Sequence, residues 1–297
     1  MNLCDPRTIK DVMSIFGLSF RHSLGQNFLT DESVVRNIAE ASASSGAATV
    51  LEIGAGFGAL TKELSDLFDH VIAVEIDKGL IPLLRYTLAD CRNVELVCAD
   101  VTRTDLGALL KDAFEQGGVS VCANLPYYVT TPILIKLLES RLPFENITLM
   151  VQSEVADRLC SMPGKPEYGS VTAFVNYFGV CERLFEVPAS KFIPAPKVNS
   201  TVVRISLYKE KPVNPIDEEC FFKVIRAAFG QRRKTLLNAL SAVFGELDKT
   251  QLTTVLTDAG IDPSVRGERL GVPEYASVAD ALARFIGSSP REGESLV

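Results

Sequence analysis

Histidines and closely spaced cysteines are scarce in this chain, and their scarcity excludes several kinds of site. The 297 residues include only two histidines, His22 and His70, which lie far apart, and none of the seven cysteines forms a Cys-x-x-Cys pair. Zinc is usually held by closely spaced Cys and His ligands, so no metal site is expected. Catalysis by a histidine-activated nucleophile is poorly supported. The odd number of cysteines, with Cys98 and Cys122 in apolar runs, predicts buried free thiols in a reducing cytoplasm.

Long hydrophobic runs are also missing. No apolar stretch approaches the roughly 20 residues that a transmembrane helix requires. Residues 1–6 lack a basic segment followed by an apolar core, so no signal peptide is expected. These observations predict a cytoplasmic protein with no membrane partner. The 47% hydrophobic content is ample for a folded core, and the length suggests two domains at roughly 150 residues each.

Positive charge is in deficit overall but not locally. The formal net charge is -7, which at first argues against a nucleic-acid partner. Residues 191–240, however, contain ten Lys or Arg and four Asp or Glu, a local balance of 10 − 4 = +6. The distribution of charge decides nucleic-acid binding more than its sum does, so a basic surface is expected in this part of the chain.

Alternating short apolar runs and helix-like stretches fill the region from residue 49 to residue 149. This spacing predicts a mainly parallel sheet with helices on both faces, an α/β fold of the Rossmann-like kind. Strand-like segments at 181–187 and 201–207, joined by a proline-rich loop, predict an antiparallel pair at the far edge of the sheet. Beyond a linker at residues 209–215 only helical patterns occur, so a catalytic domain is expected at 1–208 and a small all-helical domain at 209–297. The predicted strands and later helices are 50–53, 71–74, 94–97, 119–122 and 147–150, then 218–229, 234–244, 249–259 and 278–286.

A glycine-rich segment closes the first predicted strand of this region. Gly54 and Gly56 allow the backbone to turn sharply and to approach a ligand closely. Glu75 ends the next strand 21 positions after Gly54, a spacing that places a carboxylate near a ribose. The sequence therefore predicts a nucleoside-containing cofactor. Both a nicotinamide dinucleotide and a tight turn without a ligand remain compatible with these residues alone.

Polar residues also end the next two strands of the predicted sheet. Asp100 can accept a hydrogen bond from an adenine amino group. The alternative is that Asp100 is a helix N-cap, a role that Thr102 or Thr104 could equally fill. Asn124 opens an Asn-Leu-Pro-Tyr sequence, 124–127, whose amide oxygen and aromatic ring suit the amino group and the face of a base. Ligands of parallel sheets bind at the carboxyl ends of strands. S-adenosylmethionine as methyl donor explains these strand ends together, whereas a dehydrogenase leaves the Asn-Leu-Pro-Tyr sequence unexplained.

Longer motifs extend this interpretation over residues 25–270. They lie at 26–29, 52–60, 124–127, 150–152, 187–188, 192–200 and 229–238. Together they resemble the rRNA adenine N6-dimethyltransferase family, in particular its bacterial small-subunit branch rather than the branch that acts on large-subunit rRNA. Ala55 stands where the family often has proline, and Asn199 where aspartate is common.

The resemblance implies a class I S-adenosylmethionine-dependent methyltransferase that acts as a monomer without a metal. It transfers methyl groups to the N6 atoms of two adjacent adenosines near the 3′ end of 16S rRNA, within the small ribosomal subunit or its precursor. The implied residues fall into three groups. The cofactor site consists of Asn27, Leu29, Gly54, Gly56, Glu75, Asp100 and Asn124. The catalytic site consists of Asn124, Leu125, Pro126, Tyr127 and Phe192. The rRNA contacts are Lys197, Arg226, Arg232, Arg233 and Lys234.

Three other functions fit part of the sequence. A nicotinamide-dependent oxidoreductase would use the same glycine segment and Glu75. A ribosome-assembly or transcription factor could use the same scaffold without catalysis, but the retained Glu75, Asp100 and Asn124 argue against lost activity. A DNA adenine methyltransferase could share the Asn-Leu-Pro-Tyr sequence, but the basic segment near Arg232 favours rRNA. The segment Tyr168-Gly169-Ser170 is expected to border the base pocket.

Overall fold

The computed structural model describes residues 1–20, 25–43, 46–126 and 128–288. The strands are β1 Phe28–Leu29, β2 Thr49–Ile53, β3 His70–Glu75, β4 Val94–Cys98, β5 Val119–Asn124, β6 Phe144–Gln152, β7 Gly179–Val187, β8 Phe192–Ile193 and β9 Ser200–Leu207. The helices are α1 Pro6–Ile15, α2 Glu32–Ala43, α3 Ala59–Ser65, α4 Leu80–Thr87, α5 Leu106–Gln116, α6 Thr130–Glu139, α7 Ser153–Leu159, α8 Ser170–Phe178, α9 Glu218–Gly230, α10 Leu236–Ser241, α11 Lys249–Asp258 and α12 Val272–Ser288.

A seven-stranded sheet in the order β4-β3-β2-β5-β6-β9-β7 is formed by strands between residues 49 and 207. The strands β4, β3, β2, β5 and β6 pair in parallel, and β9 pairs antiparallel with β6. The predicted α/β class with a parallel sheet is confirmed. The chain leaves β2 toward β3 on one side and returns to β5 on the other, so the carboxyl end of β2 is the switch point where such sheets bind ligands.

Apolar strands explain why this sheet forms. All five residues of β2 are buried, and the first five residues of β5 are buried as well. Strands that are covered on both faces have this near-continuous apolar character. The edge strand β4 is less covered, and Cys98 at its end is exposed, whereas Cys122 in β5 is fully buried. The prediction of a buried thiol is thus right for Cys122 and wrong for Cys98, because β4 has a neighbour on one side only.

The chain divides into two compact units. The first comprises residues 1–156 and 181–207, and the second comprises 157–180 together with the chain from Tyr208 onward. The second unit therefore includes α8, which the sequence-based boundaries placed in the catalytic domain. Its aromatic side chains explain the grouping, because Tyr177 packs against Phe221 at 4.9 Å and Phe174 against Phe222 at 5.1 Å between ring centroids.

The second unit has its own hydrophobic core, formed by α8 to α12. Helix α9 contributes buried Phe221, Val224 and Ile225, and α12 contributes Tyr275 and Leu282. Of the helices in the described ranges, none is both long and apolar enough to cross a membrane.

Candidate active site

A cavity lies at the carboxyl ends of the parallel strands in the first unit. Residues from the ends of β2, β3, β4 and β5 line it, together with the segment around β1 and with Phe192 of β8. The predicted cofactor and catalytic residues that line this cavity are Asn27, Leu29, Gly54, Gly56, Glu75, Asp100, Asn124, Leu125, Pro126 and Phe192. Tyr127, also predicted to be catalytic, lies outside the described residues.

The glycine segment shapes the floor of the cavity. The Gly54 N–H donates to the Val74 carbonyl at 2.8 Å, which joins the end of β2 to β3. Gly56 has a φ of 58°, and a Cβ atom there would lie 3.2 Å from Cε1 of Phe28. Since L-residues with side chains rarely adopt this conformation, glycine keeps the backbone open to a ligand.

Glu75 ends β3 and is buried beside this segment. Its Oε2 accepts from the Gly56 N–H at 2.9 Å, and its Oε1 accepts from the Asp77 N–H at 2.8 Å. Burial raises the pKa of Glu75, and the two backbone N–H groups oppose that rise. A carboxylate offers about four acceptor positions, so acceptor capacity remains for hydroxyl donors in the cavity.

Glu52 is a lining residue of the cavity that the sequence reasoning missed as a site residue. It lies in β2, is 1% exposed, and neither carboxyl oxygen has a hydrogen-bond partner among the described residues. Burial raises its pKa to about 8. The signal was present, because a charged residue stands inside an otherwise apolar strand just before Gly54.

Asp100 follows β4 and remains ionised. Its Oδ1 accepts from the Thr102 hydroxyl at 2.7 Å and from the Thr102 N–H at 3.0 Å. The Thr102 hydroxyl contributes most to holding the pKa of Asp100 below its ordinary value. The N-cap of α5 is Asp105, which accepts from the Ala108 N–H, so Asp100 does not cap that helix.

The Asn124–Pro126 loop leaves the end of β5. Leu125 is buried, and the Pro126 carbonyl accepts from the Val129 N–H at 3.1 Å, which ties the loop to the start of α6. On the other side the Gly25 backbone packs so closely that a Cβ there would lie 2.8 Å from Cβ of Pro126. These contacts hold Asn124 at the edge of the cavity.

Phe192 reaches the cavity from β8. This strand pairs antiparallel with β1, with Leu29 opposite Phe192 and Phe28 opposite Ile193. The preceding Lys191 places its Nζ 2.5 Å from Oδ2 of Asp31. The pairing of β8 with β1 therefore places Phe192, which is expected to contact a base, opposite Leu29, which is expected to contact the cofactor.

The predicted rRNA contacts are solvent-exposed. Arg226 lies on α9, and Arg232, Arg233 and Lys234 lie in the turn before α10; Lys197 is exposed in the first unit. The predicted helix 234–244 instead begins at Leu236, because the Thr235 side chain caps it.

Arg232 and Tyr168 both make contacts within the second unit. The Nε of Arg232 donates to Glu268 at 2.8 Å, and its guanidinium also donates to the Pro166 carbonyl. Tyr168 is fully buried and packs edge-on against Phe229 with ring centroids 5.6 Å apart. Its ring is therefore part of the core, which corrects the expectation that Tyr168 borders a base pocket.

The chain is similar to known proteins over nearly its whole length. The family described as "Ribosomal RNA adenine dimethylase" matches residues 17–284. The "Ribosomal RNA small subunit methyltransferase A" of Alkaliphilus oremlandii (strain OhILAs) is 43% identical over 284 residues, which cover 96% of this chain and 99% of the relative. The protein of the same description from Geobacillus thermodenitrificans (strain NG80-2) is 45% identical, covering 95% and 97%.

Solved structures support the same fold. A dimethyladenosine transferase from Plasmodium falciparum has a TM-score of 0.73 at 24% identity and covers 88% of this chain and 98% of its own. The 23S rRNA methyltransferase ErmE has a TM-score of 0.67 at 24% identity and covers 86% and 100%. The Rossmann-like methyltransferase sheet followed by a helical region is therefore confirmed.

Proposed function

Because the chain belongs to the ribosomal RNA adenine dimethylase family and is thus an S-adenosylmethionine-dependent rRNA adenine dimethyltransferase, we propose that the cavity of the first unit is its active site. The reaction proposed there is dimethylation of N6 on two adjacent adenosines in the 3′-terminal hairpin of 16S rRNA. Relatives described as small-subunit enzymes support this choice of substrate. We place the reaction on the small ribosomal subunit or its precursor in the cytoplasm, with the protein acting as a monomer and without a metal.

The lining residues fit the methyl donor. Glu75 accepts from the ribose hydroxyls, Asp100 accepts from the adenine amino group, and the backbone around Gly54 and Gly56 leaves room for the remainder. Asn27 and Leu29 complete the cofactor site from the β1 side. The carboxyl group of Glu52 has no hydrogen-bond partner among the described residues, and a positively charged ligand in the cavity would favour its ionised form. When bound, S-adenosylmethionine supplies an electrophilic methyl group.

Asn124 and Leu125 hold the target amine. The side-chain oxygen of Asn124 and the Leu125 carbonyl accept the two amino hydrogens, which favours a pyramidal nitrogen over one conjugated with the ring. Its lone pair is then directed at the cofactor side of the cavity, and positioning supplies most of the rate. After the first methylation one N–H remains, so the same acceptors can still hold the monomethyl base.

Aromatic side chains hold the base once it has left its stack. Phe192 lines the cavity, and Tyr127 is proposed to stack on the opposite face. Base–aromatic stacking is worth about 1–3 kcal/mol per base, which offsets much of the cost of extrusion. Pro126 fixes the loop between Asn124 and this ring.

Basic side chains supply affinity for the rRNA backbone. Arg226, Arg233 and Lys234 are exposed and, with Arg232 and Lys197, are proposed to contact phosphates. Such contacts position the rRNA but do not select the adenosines. Arg232 can contribute through the part of its guanidinium that Glu268 and Pro166 do not occupy.

The observation that carries this proposal is the joint placement of Glu75, Asp100 and Asn124 around one cavity. The test incubates the protein with methyl-labelled S-adenosylmethionine and small ribosomal subunits that lack adenosine dimethylation. We expect label as N6-dimethyladenosine near the 3′ end of 16S rRNA and its loss in Asn124→Ala. The matched control is Asn37→Ala, which removes an exposed amide on α2 and should retain activity.

Other outcomes point to other functions. A wild-type protein that binds the cofactor and the subunit but transfers no methyl group would favour an assembly factor without catalysis. Transfer that persists in Asn124→Ala would remove Asn124 from the site while leaving the activity in place.

A further inference from the structure

Residues 25–31 are named here the strap, and residues 25–29 of it line the cavity. Asn27 and Leu29, two proposed cofactor contacts, belong to the strap. Phe28 packs on the glycine segment, with its ring centroid 5.8 Å from that of Phe57. The arrangement of the strap therefore decides whether the cofactor side of the cavity is complete.

A side-chain hydrogen bond ties the first half of the strap to the turn after β3. Nε2 of Gln26 donates to Oδ2 of Asp77 at 3.0 Å, across 51 positions of sequence. Asp77 is itself fixed, because it is 5% exposed and its Oδ1 accepts from the Gly79 N–H at 3.0 Å. Its backbone N–H donates to Glu75, so the strap is tied to the same turn that holds the proposed ribose-binding carboxylate.

A second contact holds the other end of the strap. Lys191 forms an ion pair with Asp31 at 2.5 Å, and its carbonyl accepts from the Thr30 N–H at 2.8 Å. Lys191 directly precedes Phe192, whereas Asp77 lies in the turn that follows Glu75. The two contacts thus tie the strap to two different segments of the first unit.

We propose that Gln26 and Asp77 are a positioning pair that keeps the strap in the arrangement that binds S-adenosylmethionine. The inference rests on the proposed function, because it assumes that the cavity binds this cofactor. If the pair is broken, a smaller fraction of molecules has Asn27 and Leu29 in place. The apparent dissociation constant then rises in inverse proportion to that fraction.

Reversing the polarity of the hydrogen bond tests the pair. Gln26→Glu places a carboxylate against Asp77 with almost no change of shape, and Gln26→Met removes the donor without adding charge. The double variant Gln26→Glu/Asp77→Asn restores a hydrogen bond with donor and acceptor exchanged, while the Asn side-chain oxygen can still accept from Gly79. Asp77→Asn alone completes the double-mutant cycle.

The measurement is calorimetric titration of each folded variant with S-adenosylhomocysteine, with thermal unfolding recorded alongside. We expect Gln26→Glu to bind about ten-fold more weakly than wild type, and the double variant to return to within about two-fold. Gln26→Met should also bind S-adenosylhomocysteine more weakly than wild type does. If Gln26→Glu does not fold, Gln26→Met provides the test instead. Gln116→Glu is the matched control, because it makes the same chemical change at an exposed position of α5 away from the cavity and should leave this affinity unchanged.

Three results would overturn the inference. Equal affinity of wild type, Gln26→Glu and Gln26→Met would show that the pair does not position the cofactor site. A double variant as weak as Gln26→Glu would show that the hydrogen bond itself is not responsible. A wild-type protein that does not bind S-adenosylhomocysteine would overturn the proposed cofactor site, and this inference with it.

Discussion

Glu52 carries a buried carboxyl group whose oxygens have no hydrogen-bond partner in the described part of the chain. Its pKa is about 8 in the folded protein, compared with an ordinary value of 4.5. Between pH 4.5 and about 8, Glu52 is therefore protonated in the folded state and ionised in the unfolded state. Proton linkage then makes the free energy of unfolding fall as pH rises through this window, by at most about 1.4 kcal/mol per pH unit.

Glu52→Gln should remove this pH dependence. Glutamine has nearly the same shape and no charge to bury, so the variant should gain stability relative to wild type as pH rises from 5 to 9. We expect a gain of at most about 4 kcal/mol, most of it between pH 5 and 8. Urea unfolding at pH 5, 7 and 9 without cofactor measures it, with Glu40→Gln on the exposed side of α2 as control. Parallel curves for wild type and Glu52→Gln would contradict the prediction.

Gly56 is a position where backbone conformation restricts the residue type. With a φ of 58° and the Phe28 ring 3.2 Å from an added Cβ, Gly56→Ala should cost about 1–2 kcal/mol of folding free energy. It should also weaken S-adenosylhomocysteine binding. Gly287→Ala is the control, since that helical glycine has no atom within 4 Å of an added Cβ. Equal unfolding midpoints for the two variants would contradict the strain argument.

The candidate site was largely predictable because its residues follow strand ends. Glu75, Asp100 and Asn124 each close a short apolar run, and parallel strands bring such ends to one edge. The Gln26–Asp77 contact was not predictable from the residues, since nothing local in either segment specifies a partner 51 positions away. Glu52 was read as part of a strand, because its missing partner becomes evident only in three dimensions.

Among the secondary-structure elements, β8 begins directly after Lys191, which forms an ion pair with Asp31. Lys191→Met should lower the rate of methyl transfer at saturating cofactor by about five-fold, because Phe192 loses a nearby anchor. Lys191→Arg should retain most of the rate, since it preserves the charge pair. Single-turnover transfer to undermethylated small subunits measures the effect. A change in cofactor affinity with an unchanged rate would contradict the assignment of this pair to the base side.

The exact ends of helices and the grouping of elements into units are not predictable from sequence periodicity alone. The helical pattern expected from 234 begins at Leu236, because Thr235 accepts from the Asn238 N–H and takes the N-cap. The grouping of α8 with the second unit follows from long-range aromatic packing, such as Tyr177 with Phe221, to which strand and helix periodicity is insensitive.

Across the whole chain, the net charge of -7 and the basic segment act on rRNA in opposite directions. The acidic excess repels a polyanion at long range, while the exposed Arg233 and Lys234 are proposed to contact phosphates at short range. Binding to the small subunit should therefore weaken steeply with salt. Each phosphate contact that is removed should reduce the slope of log affinity against log salt by about 1.

Arg233→Ala/Lys234→Ala should thus lower rRNA affinity and reduce that slope by about 2, while S-adenosylhomocysteine binding stays unchanged. Filter binding of 16S rRNA hairpin and of small subunits from 50 to 300 mM salt measures the slope. The control for loss of charge alone is Lys209→Ala, which removes an exposed lysine outside the turn that contains Arg232, Arg233 and Lys234. If Lys209→Ala reduces the slope as much per charge as the double variant, net charge governs binding rather than a defined phosphate surface. An unchanged slope in the double variant would place the rRNA contacts elsewhere on the chain.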